Sequence, residues 1–258
     1  MNGVRGLILA AGRGSRLKSI TEDRPKGMVA LKGRPLIAWQ LHALRGAGID
    51  QIALVGGYRM QALAQFHLPV IASPRWSETN MVRSLMCAAE WLDHGATVVS
   101  YSDIVYDSAT VQRLTDTPSD IALTFDPAWL ALWSARFADP LSDAETFAVD
   151  PSGMLTDIGR RPERISDVQG QYMGLLKFTG PGWRVISQYL GTLPSDRCDT
   201  LDMTSLLRAL IDRGVRIQAV PTAGPWAEVD NEDDLLLYER SDRVKLPRPP
   251  PDFEGNTP

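Results

Sequence analysis

The chain is poor in the residues that carry sulfur and imidazole chemistry. Its 258 residues include two cysteines and three histidines. Cys87 and Cys198 show neither CxxC nor zinc-site spacing, which argues against a metal module and a disulfide scaffold and predicts two free thiols. Long apolar runs are missing as well. No stretch approaches the roughly 20 residues of a membrane span, and residues 1–5 do not form a charged leader before an apolar segment. A cytoplasmic location is therefore expected. There is also no excess of one charge. The formal net charge is −4, with both signs mixed along the chain. That argues against nucleic acid as a partner, because a binder of phosphate backbones needs a basic face. What remains is ordinary. The hydrophobic content of 44% suits a globular core, and the length suits one large domain or two small ones.

The first half alternates apolar runs with amphipathic stretches. Strands are predicted at residues 4–10, 51–55, 69–72, 97–101 and 120–125. Helices are predicted at 36–44, 60–66, 81–92 and 108–114. Strands separated by helical patterns indicate crossover units and an α/β fold: a largely parallel sheet with helices on both faces. The second half changes character. A hairpin is expected at 147–159, turning at Pro151-Ser152-Gly153. Strands follow at 172–179, 217–220 and 226–229, with helices at 183–190, 203–212 and 233–240. Asn231 is the expected cap of the last helix. Residues 246–258 are rich in proline and lack apolar periodicity, which predicts a disordered or extended tail.

The opening segment LILAAGRGSRLKSITEDRPKGMVALKGRP carries the first chemical signal. A buried strand running into a Gly-rich turn presents backbone N–H groups to an anion. Gly12 and Gly14 permit close approach, and Arg13 and Arg16 add charge. Lys26 follows Pro25, whose ring stiffens a second loop. A triphosphate-sized anion fits these features. A dinucleotide GxGxxG loop does not, because Leu17 stands at the third glycine, and the GxxxxGK spacing of a P-loop is absent.

The segment LAAGRGSRLKSITEDRPKGMVALKGRPL closely resembles the signature of the sugar-phosphate nucleotidyltransferase superfamily, of the form LAAGxGxRL…T…PKxM…GxPL. The later segments ETNMVRSL, YSDIVY, GQYMGLLKF and WAEVDNEDDL follow in the family's order, to about residue 240. They are most similar to the branch containing phosphocholine and phosphonate cytidylyltransferases. The resemblance implies a Rossmann-like, mixed but mainly parallel sheet flanked by helices, in one nucleotidyltransferase domain over residues 1–245. Its nucleotide-binding part would span about 1–125 and its acceptor-binding part, with the inserted hairpin, about 126–230. It implies CMP transfer from CTP to a small acceptor bearing a phosphate or phosphonate, with release of pyrophosphate. A uridylyl- or thymidylyltransferase acting on a sugar 1-phosphate is the alternative within the enzyme class. A non-catalytic nucleotide-sensing subunit is the alternative outside it, disfavoured because Arg16, Lys26, Asp103 and Asp230 are all present.

In such a reaction the attacking oxygen is already anionic. No Ser, Cys or His nucleophile is needed, and His42, His67 and His94 have no catalytic assignment. The difficulty is bringing anions together, which calls for cations. Mg²⁺ held by one or two carboxylates suits that task. Asp103 and Asp230 each follow an apolar strand, where open α/β sheets place their ligands, and by resemblance they are the metal pair. The bland alternative makes Asp103 a turn residue and Asp230 part of an acidic helix start. The family often has Gly before the first aspartate, and here it is Ser102. Lys26 is assigned to the transition-state charge and Arg16 to the β- and γ-phosphates.

Nucleotide contacts are expected from Leu9, Ala10, Ala11, Gly12, Arg13 and Gly14, and from Asn80 and Ser84, four residues apart. Asn80 can equally be a helix cap. For the acceptor, Trp129, Trp133 and Phe137 fall at i, i+4 and i+8, with Asp139, Asp143 and Glu145 after them. A stripe at that spacing serves a core as readily as a site. Read as a site, indole faces with carboxylates suit a cationic group, each cation–π contact contributing roughly 0.5 to 2 kcal/mol. Tyr172 and Trp226 would complete that box, with Glu228 beside them. Lys177 is a candidate for the acceptor's phosphate or an ordinary snorkelling lysine.

Overall fold

The computed structural model describes residues 3–222, 224–240 and 244–250. A seven-stranded sheet organises them, in the order Gln218–Pro221, Ile121–Asp126, Gln171–Phe178, Thr97–Tyr101, Arg5–Ala10, Ile52–Gly56, Val70–Ala72. Every neighbouring pair is parallel except those made by Gln171–Phe178, which is antiparallel on both sides. The mixed, mainly parallel sheet read from the sequence is the one observed.

The central strands are buried at nearly every position because both faces of the sheet are covered. Alternate side chains go to opposite faces. Ile8 and Ala10 join one core with Leu54 and Val98, while Leu7 and Leu9 join a second core with Val55 and Val99. The helix Leu36–Gly46 supplies Leu36, Ile37 and Leu41 to the first core. Helices Met81–Cys87, Gly180–Gly191 and Met203–Ile211 supply Val82, Trp183 and Leu206 to the second.

Several local expectations are refined. The helix expected over 81–92 is two, Met81–Cys87 and Ala89–Asp93, separated at Ala88. The helix at 60–66 is a 3-10 helix, Met60–Phe66. Among the elements without a counterpart in the sequence reading are the helix Ser195–Thr200 and the short strand Ile104–Tyr106. That strand pairs antiparallel with Trp226–Glu228. The hairpin is present as Phe147–Val149 and Leu155–Ile158. Of the proposed tail, residues 246–250 form neither helix nor strand, and Leu246 packs on the first core; residues 251–258 lie outside the described residues. Among the described residues no helix is long and apolar enough to cross a membrane, and both cysteines are free thiols.

The chain leaves Arg5–Ala10, adds Ile52–Gly56 and Val70–Ala72 on one side, and returns to place Thr97–Tyr101 on the other. The strand order thus reverses at Arg5–Ala10, and a crevice opens at the carboxyl ends of the two strands flanking that point.

Candidate active site

The opening loop is shaped by two close contacts. Gly14 has φ 73°, and a Cβ there would stand 2.8 Å from the Lys26 side chain. Glycine is therefore required both for the left-handed turn and for the lysine stem packed against it. Thr21 Oγ1 donates to the Gly14 carbonyl at 3.0 Å, and the Lys26 amide donates to the Gly12 carbonyl at 3.3 Å. The GRG turn and the RPKG turn are thereby tied together. Leu9, Ala10 and Ala11 are buried, so only their backbone is available to a ligand, whereas Gly12 and Arg13 are exposed. Arg13 lies over the Tyr58 ring at 5.5 Å.

Three carboxylates meet at the carboxyl ends of the strands. The ribbon formed by Ile104–Tyr106 and Trp226–Glu228 sets them together. Glu228 pairs with Ile104, and the Val229 amide donates to the Asp103 carbonyl at 2.9 Å. Oxygens of Asp103, Glu228 and Asp230 lie within 4.8 Å of one another. Lys26 Nζ donates to Asp103 Oδ2 and to Asp230 Oδ1, both at 2.7 Å. Arg16 donates to Asp230 Oδ1 at 2.7 Å, with its own side chain 62% exposed toward the crevice. Burial would depress the Lys26 ammonium, but Asp103, Asp230 and Glu228 outweigh it and hold the lysine above its ordinary value. Burial acts to raise Asp230, and Lys26, Arg16 and Arg136 pull it below the usual carboxylate range. Glu228 goes the other way. Burial and the neighbouring Asp230 push it up to about 8, against the pull of Arg136.

Arg136 escaped the sequence reading. Its side chain is 0% exposed and reaches Glu228 at 3.0 Å, Asp230 at 3.3 Å and Asp234 at 2.9 Å. It also lies over Trp133 and Phe137, each at 4.9 Å. The signal was a lone arginine inside the apolar segment WLALWSARF, since a charge is rarely buried without a partner. With Asp234 included, four carboxylates face the three cations Lys26, Arg16 and Arg136.

Beside this cluster is a cavity of about 320 Å³. Asn80, Trp133, Asp143, Glu145, Tyr172 and Glu228, all singled out from the sequence, line it. So do Gln171, Asp202 and Thr204, which were not. Asp202 was hidden by its second role. It caps the helix Met203–Ile211, accepting from the Ser205 amide at 2.7 Å, so TLDMTS reads as a helix start. Asn80 caps Met81–Cys87, accepting from the Met81 amide, and also lines the cavity.

Four of the predicted residues are not brought to this cavity. Ser84 is buried one turn beyond Asn80, with its hydroxyl 3.1 Å from Ser73 Oγ, and does not line the cavity. Because Asn80 is the cap, the two do not share a helix face. Trp129 donates its indole N–H to the Val168 carbonyl at 3.0 Å, and Trp226 donates to Asp126 Oδ2 at 2.9 Å. Both indoles belong to the core, and the aromatic box is not assembled. Lys177 lies at the far end of its strand, buried, where its ammonium donates to the Thr117 carbonyl; it neither lines the cavity nor snorkels to solvent. The hairpin strands contact the helix Met203–Ile211 and the strand Gln218–Pro221, so this region reaches the cavity through its lead-in, Asp143 and Glu145.

Known proteins share this chain's pattern. The MobA-like NTP transferase domain matches residues 6–150. A CTP:phosphoglutamine cytidylyltransferase of Campylobacter jejuni is 34% identical over 250 residues, covering 90% of this chain and 98% of that protein. A 2-aminoethylphosphonate cytidylyltransferase of Lancefieldella rimae is 24% identical over 71% of this chain and 70% of its own. The solved structure of the inositol-1-phosphate CTP transferase from T. maritima superposes with TM-score 0.71 at 19% identity, over 91% of this chain and 93% of that one, and shows the same fold. The signature loop, the sheet and the matched domain agree: the chain belongs to the MobA-like NTP transferase family, on its cytidylyltransferase branch.

Proposed function

We propose that the protein transfers CMP from CTP to a small acceptor through the acceptor's phosphate or phosphonate oxygen. The observation that carries this reading is the convergence of Asp103, Glu228 and Asp230 with Lys26 and Arg16, next to a cavity sized for a small molecule. The acceptor oxygen attacks the α-phosphorus, the bond to the bridging oxygen breaks, and pyrophosphate leaves with that oxygen. The long similarity to a CTP-using relative supports the choice of nucleotide.

Three anionic groups have to share the crevice, and this chain's residues answer that problem directly. The turn around Gly12 offers exposed backbone where a triphosphate can approach. Lys26 and Arg16 place two positive charges at the carboxylate cluster, fixed before any ligand arrives. Arg136 holds Glu228 and Asp230 from behind.

Asp103, Glu228 and Asp230 would hold a Mg²⁺ ion. Hard carboxylate oxygens suit it, and Asp103 Oδ1 is buried with no hydrogen-bond partner, an open ligand atom. When bound, such an ion neutralises triphosphate oxygens and favours charge build-up on the α-phosphoryl group. The test is a pyrophosphate-release screen of the four ribonucleoside triphosphates and dTTP against phosphate, phosphonate and sugar 1-phosphate acceptors. Release that needs both CTP and a phosphonate or phosphate monoester supports the assignment; preference for UTP or dTTP with a sugar 1-phosphate replaces it.

A further inference from the structure

The cavity wall away from Lys26 carries two carboxylates and a side-chain amide. Glu145 is half-buried there, and Asp202 stands at the rim. Thr204 Oγ1 lies 3.4 Å from Glu145 Oε1 and 3.2 Å from Asp202 Oδ1. One hydroxyl proton therefore serves two carboxylates. Burial and the Asp202 charge raise the Glu145 carboxyl above its ordinary value, and the Thr204 hydroxyl and the Arg208 charge offset them only in part. Arg208, on the adjoining helix, faces Asp157 at 3.6 Å. A separate observation points the same way. Gln171 is 5% exposed and lines the cavity, yet its buried Oε1 has no hydrogen-bond partner. A buried acceptor left unmet is costly, so this carbonyl calls for a donor.

We propose that Glu145, Asp202 and the Gln171 carbonyl form a subsite for a primary ammonium group at the end of the acceptor remote from its phosphorus. This rests on the transferase reading of the cavity and adds the acceptor's other end. A primary ammonium carries one positive charge and three N–H donors, which answers the carboxylates and the amide oxygen together. A quaternary ammonium has no N–H and is best held by open aromatic faces. The three indoles do not offer them, and of the proposed box Tyr172 lines the cavity beside Tyr101. Trp129 and Trp226 are tied into the core, and the Trp133 ring is already covered by the Arg136 guanidinium. The wall therefore selects an amine over a trimethylated amine or a neutral group.

Three ligands separate these cases: 2-aminoethylphosphonate, its N-trimethyl form, and propylphosphonate. Their binding is measured by calorimetry in the presence of Mg²⁺ for the wild type, Glu145→Gln and Gln171→Met. Glu145→Gln keeps side-chain size, and the two variants alter different parts of the wall, so a folding defect in one leaves the other to decide. The wild type should bind the amine at least about tenfold more tightly than either other ligand, and each folded variant should lose most of that preference. Equal affinities in the wild type, no binding of the amine, or an undiminished preference in a folded variant overturns the subsite. Pyrophosphate release is scored separately. Amine-selective binding without any nucleotide-dependent release would leave the subsite standing and remove the transferase reading.

Discussion

Replacing Arg136 by methionine tests how the carboxylate cluster is held. The guanidinium is fully enclosed and serves Glu228, Asp230 and Asp234 at 2.9–3.3 Å. Methionine fills the space of the stem but leaves those carboxylates without their shared cation. Removing one partner from a buried ion pair costs about 3–5 kcal/mol, because the stranded charge stays desolvated. Lys26 and Arg16 still reach Asp230, so the lower half of that range is expected in metal-free buffer. With a urea m-value of about 2 kcal/mol/M, the unfolding midpoint should fall by about 1.5–2 M. Millimolar Mg²⁺ should shrink the difference, since the variant lacks a cation and gains more from binding one. Arg136→Lys should lie between, because a single ammonium cannot serve three carboxylates with the guanidinium's fork. The assay is equilibrium urea unfolding followed by tryptophan fluorescence, with and without EDTA. A loss below about 1 kcal/mol at unchanged m would refute the reasoning and show that the carboxylates relax to solvent.

Two further outcomes follow from the same cluster. Lys26→Met should lower kcat at least about a hundredfold, equivalent to about 2.7 kcal/mol of transition-state stabilisation, while changing CTP affinity by less than about tenfold; matching losses in Kd and kcat/KM with kcat unchanged would make Lys26 a simple binding contact. The elevated Glu228 carboxyl sets a pH dependence in EDTA. Its folded value near 8 exceeds the ordinary 4.5, so the folded state holds the extra proton between those values and stability must fall as pH rises from about 5 to 8. In Glu228→Gln that fall should be smaller by up to a few kcal/mol, and an identical slope in both proteins would contradict the assignment.

The sheet was legible because its strands are buried on both faces and read as short apolar runs between Gly and Pro signals, as in LILA and TVVSY. The loop ends of those strands were legible for a different reason. Gly14, Thr21 and Lys26 hold one another through local contacts, so the local sequence describes the local shape. The far wall was harder to read. Trp129, Trp133 and Trp226 have the residue types of a cation box, yet which side of an indole faces a cavity depends on partners such as Val168 and Asp126, distant in sequence. Asp202 looked like a helix cap and is one, which concealed its place on the cavity. Arg136 gathers carboxylates 92 to 98 residues away, and no local pattern announces that.

The most direct measurement of the central claim follows the α-phosphorus of the nucleotide. CTP labelled at that atom is incubated with Mg²⁺ and 2-aminoethylphosphonate, using wild type and Asp103→Asn, and the products are separated. The wild type should move the label into a CMP-phosphonate mixed anhydride in step with unlabelled pyrophosphate, and Asp103→Asn, folded but short of a metal-binding carboxylate, should move it at least about a hundredfold more slowly. Label that stays on free CMP, or full transfer by Asp103→Asn, would contradict nucleotidyl transfer at this cluster.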